Sequence, residues 1–240
     1  MKALNTLLAA AISALIAVCA SPLLAQSVSS SPVASSPAVL TVANASIPTR
    51  VLSQSPADTI TELQVICLFH SDSSNQLHGA LTETNEKLKG LLDKLRRPDL
   101  FSGDLGETLL IIPSAGTLGA KRLLIIGLGD SQTFTPGRLE LVGSIVYRES
   151  NRLGIAHPFF APTILDGGVT KFTTAETAQH FIRGFLRAAE AEKQLAAAGE
   201  SAGVSVADLT YLAGVKYASV TLDGIEKEFA AHVLARSNTK

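Results

Sequence analysis

Residues 122–130 read Arg-Leu-Leu-Ile-Ile-Gly-Leu-Gly-Asp, and they decide the fold class. The run Leu123-Leu-Ile-Ile126 is wholly apolar and leaves no polar face to turn toward water. An apolar run this short, closed by Gly127 and Gly129, is expected of a sheet strand covered on both faces. Thr108-Leu-Leu-Ile-Ile112, stopped by Pro113, has the same character, and so does Leu63-Gln-Val-Ile-Cys-Leu-Phe69. Between and beyond these runs the period changes to that of a helix. Leu81, Leu88, Leu91, Leu92 and Leu95 recur at helical spacing among charges, up to Pro98. Residues 136–153 carry Leu139, Val142, Ile145 and Val146 on one face. Thr174 is placed to cap a long helix, with Glu176 or Thr177 in its first turn and Phe181, Ile182, Phe185 and Leu186 turned inward. Residues 155–165 read as strand plus loop, 209–220 as a strand region around Gly214, and 225–234 as an amphipathic helix. A first strand is expected at 39–42, ahead of Pro48. Strands alternating with helices predict an α/β protein: a three-layer α/β/α sandwich on a mixed central sheet.

Composition bounds the function. Lys and Arg number 20 against 21 Asp and Glu, a net charge of −1, so no basic field exists to hold a nucleic-acid backbone. With three Tyr, nine Phe and no Trp there is little aromatic surface on which to stack bases. The charges are unevenly placed. Within residues 1–60 only Lys2, Arg50 and Asp58 are charged. Lys2 precedes a charge-free apolar stretch over 7–18, and small residues follow up to Ala20 and Ala25. This is the layout of a secretory signal peptide over 1–25, cleaved after Ala25 or Ala20, and the stretch is shorter than the ~20 residues a spanning helix needs. Residues 26–38 are Ser, Pro, Ala, Val and Gln without charge or period, a tether. A single domain is expected over 39–240. The protein is thus expected to be exported, periplasmic or secreted, with no stable membrane insertion after cleavage and no nucleic-acid partner. Cleavage would leave Cys67 as the single cysteine, in the apolar run 63–69, where a buried packing role is expected.

Few residues point to chemistry. The chain has no His-Glu-x-x-His, no Cys-x-x-Cys, no Gly-x-Ser-x-Gly and no Walker loop. His70, His78, His157, His180 and His232 are scattered without ligand-like spacing, so neither metal nor catalytic residues are assigned. The candidate ligand-binding segment is Gly127-Leu128-Gly129-Asp130. A glycine pair directly after a buried strand lets backbone amides face a phosphate at the sheet's carboxyl edge. A full dinucleotide fingerprint would place another glycine at 132, which is Gln132. A tight turn without a ligand is the competing reading.

The order of segments adds a resemblance. Phe101-Ser-Gly-Asp-Leu-Gly-Glu-Thr-Leu-Leu110, followed by Ala120-Lys-Arg-Leu-Leu-Ile-Ile-Gly-Leu-Gly129, resembles the amino-terminal domain of leucyl (cytosol) aminopeptidases. The helical stretch with Leu91 and Leu92 and the later one with Phe181, Gly184 and Phe185 occupy corresponding places, so the resemblance spans roughly 60–236. Asp104 departs from a position that is often basic in the family. The resemblance implies a macro-domain-like sandwich. It also implies that the two metals, the catalytic lysine and arginine and the Asn-Thr-Asp-Ala-Glu-Gly-Arg segment belong to a carboxy-terminal domain, none of whose motifs occurs in this sequence. No cofactor is therefore expected. Hexamer formation in the family runs chiefly through that other half. Some bacterial relatives bind DNA through the amino-terminal domain, a use that an exported chain of net charge −2 argues against.

The expected function is an exported, non-catalytic binding or interaction module. One alternative is an accessory subunit of an aminopeptidase system, pairing with a catalytic aminopeptidase chain or with itself through apolar residues of the last helix. Its competing reading is that Ile225, Phe229 and Val233 simply cover the sheet. Another alternative is a macro-type binder of ADP-ribose or a similar nucleotide ligand.

Overall fold

In the computed structural model, residues 38–71, 76–201 and 203–237 are described; the expected signal peptide and nearly all of the tether lie outside them. Seven strands form one sheet: β1 (Val39–Thr41), β2 (Thr49–Leu52), β3 (Gln64–Leu68), β4 (Thr108–Ile111), β5 (Leu123–Gly127), β6 (Phe159–Ala161) and β7 (Leu209–Leu212). Their spatial order is β1-β2-β7-β6-β3-β5-β4. The strands β2, β7, β6, β3 and β5 run parallel, and β1 and β4 close the two edges antiparallel. The helices are α1 (Gly79–Lys87), α2 (Leu91–Leu95), α3 (Arg138–Arg152), α4 (Thr174–Ala197) and α5 (Ala218–Ser237).

The two-residue period of a strand explains the three layers. Val65, Cys67, Leu124 and Ile126 join one core with Val142 and Val146 of α3, Phe181 and Phe185 of α4, and Ile225 and Phe229 of α5. Their neighbours Ile66, Leu68, Leu123 and Ile125 point the other way, against Leu81 of α1, Leu92 of α2 and Phe101. Every residue of β3 and β5 is buried, which is why both strands read as continuous apolar runs. Cys67 is completely buried, and that burial pushes its thiol far above the usual range, so it packs rather than reacts.

The large core is aromatic. Phe160 stacks on Phe181 at 3.9 Å, and Tyr211 meets both rings edge-on. At their crossing α3 and α4 touch backbone to backbone. A methyl group on Gly184 would fall inside the carbonyl of Glu140, and one on Gly143 inside that of Phe181. Arg183 then ties three helices together. It donates to both oxygens of the buried Glu228 on α5 at 2.8 Å and to Glu140 of α3 at 3.0 Å.

Several expectations need correction. The run 108–112 is not covered on both faces: β4 is an edge strand, alternately exposed, and Ile112 just past it is 80% exposed. The leucines from 81 to 95 divide between two short helices, with Leu88 just past the end of α1, because Lys89 and Gly90 have φ of 56° and 76° and break the axis. The cap of α4 is Thr173, one residue before the expected Thr174. Its hydroxyl accepts from the Glu176 amide at 3.2 Å while the Glu176 carboxylate accepts from the Thr173 amide at 2.9 Å, a reciprocal capping box. The strand expected around Gly214 ends at Leu212, and a short 3-10 turn over Val215–Tyr217 leads directly into α5. β2 has no counterpart among the sequence expectations, since Thr49-Arg-Val-Leu52 is too short and too mixed to stand out.

Candidate functional site

Beyond the carboxyl ends of β2, β6 and β7 lies a cavity of about 470 Å³, within the range of small-molecule sites. Its walls come from both helical layers. Ser53 and Ser55 follow β2, residues 162–166 follow β6, and residues 213–217 follow β7. Ala80 and Glu83 enter from α1 on one side of the sheet; Thr174, Thr177 and Thr221 enter from α4 and α5 on the other. The exit from β6 is held in place by Thr163, a non-glycine residue at φ 50°. Its hydroxyl donates to the Cys67 carbonyl at 2.7 Å and accepts from the Cys67 amide at 3.0 Å, standing in for a strand partner of β3.

The polar groups of this cavity are unusual. Among the described residues, the buried hydroxyls of Ser53, Thr174, Tyr211 and Thr221 have no hydrogen-bond partner, and all four residues line it. Tyr211 and Thr221 are each only 1% exposed. A buried hydroxyl without a partner costs free energy, so native proteins carry few of them. Burial raises the Tyr211 phenol well above its usual value, with the Thr177 hydroxyl beside it acting in the opposite sense.

The charged groups around the cavity are already engaged. Glu83 accepts from the Ser55 hydroxyl at 2.6 Å. The Asp166 carboxylate accepts from the Ala80 amide at 3.2 Å, and its carbonyl from the His78 amide at 2.9 Å, so Asp166 closes the start of α1. Burial is the main force raising the Asp166 pKa, and nearby Glu83 adds to it. Lys216 lies over the Tyr217 ring, 4.9 Å from its centre.

The Gly127–Asp130 segment lies elsewhere on the same sheet edge. The Gly127, Leu128 and Gly129 amides donate to the carbonyls of Glu107, Leu68 and Gly103, each at 2.8 Å. Arg138, from the first turn of α3, donates to the carbonyls of Leu128 and Asp130 at 3.1 Å. Gly127 is glycine for a packing reason, since a methyl there would collide with the backbone of Gly103 and Asp104. Asp130 alone of the four reaches a second, smaller cleft of about 330 Å³, with His70, Arg97, Ser102 and Asp104. There Asp104 accepts from the Ser102 hydroxyl and pairs with His70, both at 2.8 Å, and these bonds hold its carboxyl below the usual range. Among the described residues, no group of three or more His, Cys, Asp or Glu side chains is placed to hold a metal ion.

Sequence reasoning named this turn and missed the cavity. The four hydroxyls come from positions 53, 174, 211 and 221, and no motif joins them. The available signal was positional. Each lies at a strand's carboxyl end or in a helix's first turn, where α/β proteins gather ligand contacts.

On the last helix, Ile225 and Phe229 are buried in the core, whereas Val233 and Leu234 are 53% and 65% exposed. No helix among the described residues is long and apolar enough to cross a membrane.

Comparison with known proteins bears on this arrangement. Residues 65–195 match the model of the cytosol aminopeptidase family, N-terminal domain. The chain belongs to that family. It is 25% identical over 104 residues to a probable cytosol aminopeptidase of Alkaliphilus metalliredigens, and 34% identical over 79 residues to probable cytosol aminopeptidase 1 of Shewanella oneidensis. These matches take in 43% and 32% of the chain but only 20% and 15% of the two relatives. Among solved structures, a tomato leucine aminopeptidase mutant superposes with a TM-score of 0.59 at 17% identity, over 82% of this chain and 40% of that one. The Oceanobacillus iheyensis macrodomain with ADP superposes at 0.54 and 13% identity, over 84% of this chain and all of that one. At such identities the likeness establishes the fold: the amino-terminal domain of the family is a macro-domain-like α/β sandwich here too.

Proposed function

We propose that this family member is an exported, non-catalytic binding module whose ligand occupies the cavity beyond β2, β6 and β7. One observation carries the binding reading: a cavity of small-molecule size opens beyond three strand ends, and its lining residues include four, Ser53, Thr174, Tyr211 and Thr221, whose buried hydroxyls have no hydrogen-bond partner among the described residues. The same observation supports the absence of catalysis there. A hydroxyl becomes a nucleophile when a base takes its proton within hydrogen-bond reach, and these four have no such neighbour among the described residues. Export is supported by the apolar stretch 7–18 behind Lys2 and the small residues up to Ala25. The test is assay of the purified chain for leucyl-anilide hydrolysis with added divalent metal, together with cell fractionation. No turnover and recovery outside the cytoplasm are expected; metal-dependent turnover by the chain alone overturns the non-catalytic reading.

A macro-type ligand such as ADP-ribose is the second reading, favoured by the likeness to a macrodomain with ADP. In that reading the Gly127–Asp130 turn is the competing contact, through Asp130 and the second cleft. A thermal shift with ADP-ribose that Thr221→Val removes places the ligand in the cavity; one removed by Gly129→Glu places it at the turn. A partner surface on α5 is the remaining proposal, resting on exposed Val233 and Leu234.

A further inference from the structure

We infer that the outer edge of β4 is a docking surface for a second copy of this chain, the two β4 strands pairing antiparallel about a two-fold axis at Leu110. The inference goes beyond the binding-module reading and does not depend on what fills the cavity.

Strand alternation decides which backbone groups are free. The Leu128 amide donates to the Leu68 carbonyl of β3, whereas the Gly127 amide donates to the Glu107 carbonyl just before β4. The odd-numbered residues of β5 therefore bond to β4, where their partners are Leu109 and Ile111. The amides and carbonyls of Thr108 and Leu110 point away from the sheet, as do those of Ile112, next in the alternation. β4 is the last strand of the sheet, and no described strand pairs with its outer side. The devices that usually blunt such an edge are missing. Residues 108–120 carry no charged side chain. Pro113 lacks an amide, but it falls on the parity that faces β5, so it removes no outward donor. The opposite edge differs. β1 has only three residues, and the Ala43 amide just past it donates to Glu226 of α5.

Symmetry and charge name the occupant. The outward positions 108, 110 and 112 are symmetric about Leu110. An antiparallel copy therefore sets Leu110 against its own counterpart and Thr108 against Ile112, each pair exchanging amide and carbonyl. The side chains agree with that register. Leu110 is paired with Leu124, which lies in the core on the α3 side, so Leu110 points to that side too. Leu110 and Ile112 are exposed there, and so are Leu105 and Leu141 of α3. A methyl group at Gly106 would lie 3.1 Å from Leu141, which places that leucine beside the start of β4. Pairing would cover these leucines in both copies on one continuous face. An edge without charges also meets its own kind without bringing like charges together, which a chain of net charge −1 must avoid at any contact between copies. To a charged peptide the same edge offers no counter-ion.

The experiment is sedimentation equilibrium of the exported chain between about 5 and 500 μM, a range suited to the weak dimer that one short strand pair makes. The expected result is a mass that rises toward that of two chains. Leu110→Lys, which sets two ammonium groups opposite each other, and Ile112→Lys should each weaken the dimer tenfold or more. Both sites are exposed, and unchanged melting temperatures at low concentration would show that both variants remain folded. Register is tested by cysteine cross-linking. Directly opposed residues of a hydrogen-bonded pair have Cα atoms roughly 5.5 Å apart, within disulfide reach. Leu110→Cys should therefore cross-link under mild oxidation, while Ile112→Cys and the wild type, whose Cys67 is buried, should not. A mass of one chain throughout the range overturns the proposal. So does a dimer that Leu110→Lys retains in full, or one lost in Leu234→Glu instead, which would move the contact to α5. Cross-linking in Ile112→Cys but not in Leu110→Cys overturns the two-fold register.

Discussion

The glycine turn that ends β5 and the cavity beyond β2, β6 and β7 share the carboxyl edge of one parallel sheet, yet they treat their polar groups in opposite ways. At the turn, the amides of Gly127, Leu128 and Gly129 and the carbonyls of Leu128 and Asp130 all have partners within the fold. At the cavity, four buried hydroxyls have none. Closure marks a segment whose work is to hold strands and loops together. Incompleteness is what the proposed binding role rests on.

The largest effect should come from filling the closed region. Gly127→Val places side-chain atoms inside the backbone of Gly103 and Asp104, and is expected to cost roughly 3 kcal/mol or more in urea unfolding. A loss near zero would mean that the turn has slack, and would return a ligand to it. Next in size, Arg138→Ala removes the donor shared by two turn carbonyls, at a cost of about 1–2 kcal/mol. The cavity should answer with the other sign. Tyr211→Phe deletes a buried hydroxyl that has no hydrogen-bond partner among the described residues, with the Thr177 hydroxyl lying beside it, so the protein without ligand should be unchanged or more stable, by up to ~1 kcal/mol. A clear loss of stability in this variant would reveal a partner for the phenol and erase the contrast.

The smallest effects concern pH, and again the two regions differ in sign. Asp104, beside the turn, has its pKa lowered in the folded protein by Ser102 and His70. Its contribution is present above the ordinary carboxyl pKa of about 4 and is lost as pH falls through the depressed value. Asp166, at the cavity, has its pKa raised by burial. Its contribution is complete below about pH 4 and declines as pH rises through the elevated value. Urea midpoints between pH 3 and 7 should therefore show that Asp104→Asn weakens the loss on the acid side. Asp166→Asn, which keeps an acceptor for the Ala80 amide, should flatten the decline on the other side. Slopes of the same sign in both variants would contradict the assignment.

The legibility of the two regions in sequence follows from the same contrast. Strands β3 and β5 were visible because burial on both faces writes an unbroken apolar run. β4 reads in sequence like a strand covered on both faces because Leu109, Leu110 and Ile111 are equally apolar, and nothing in the run says that one face meets water. The break between α1 and α2 was hidden because the leucine spacing continues across Lys89 and Gly90, whose left-handed backbone only the structure reveals. Gly127 was noticed, but its reason is the backbone of residues 103 and 104 rather than a ligand. The cavity was invisible because a lone Ser, Thr or Tyr carries no sign of being unsatisfied. That property belongs to the assembled neighbourhood, drawn from residues 53 to 221.

The walls of the cavity come from both helical layers, with Glu83 on one side of the sheet and Thr174 and Thr221 on the other. A guest seated there would act as a rivet through the slab, fastening α1 to the ends of α4 and α5 and reinforcing the bond that the Asp166 loop already makes to the start of α1. Occupancy would then be felt most in α1, on the lighter side, whose amides should exchange with solvent more slowly once the guest is in place.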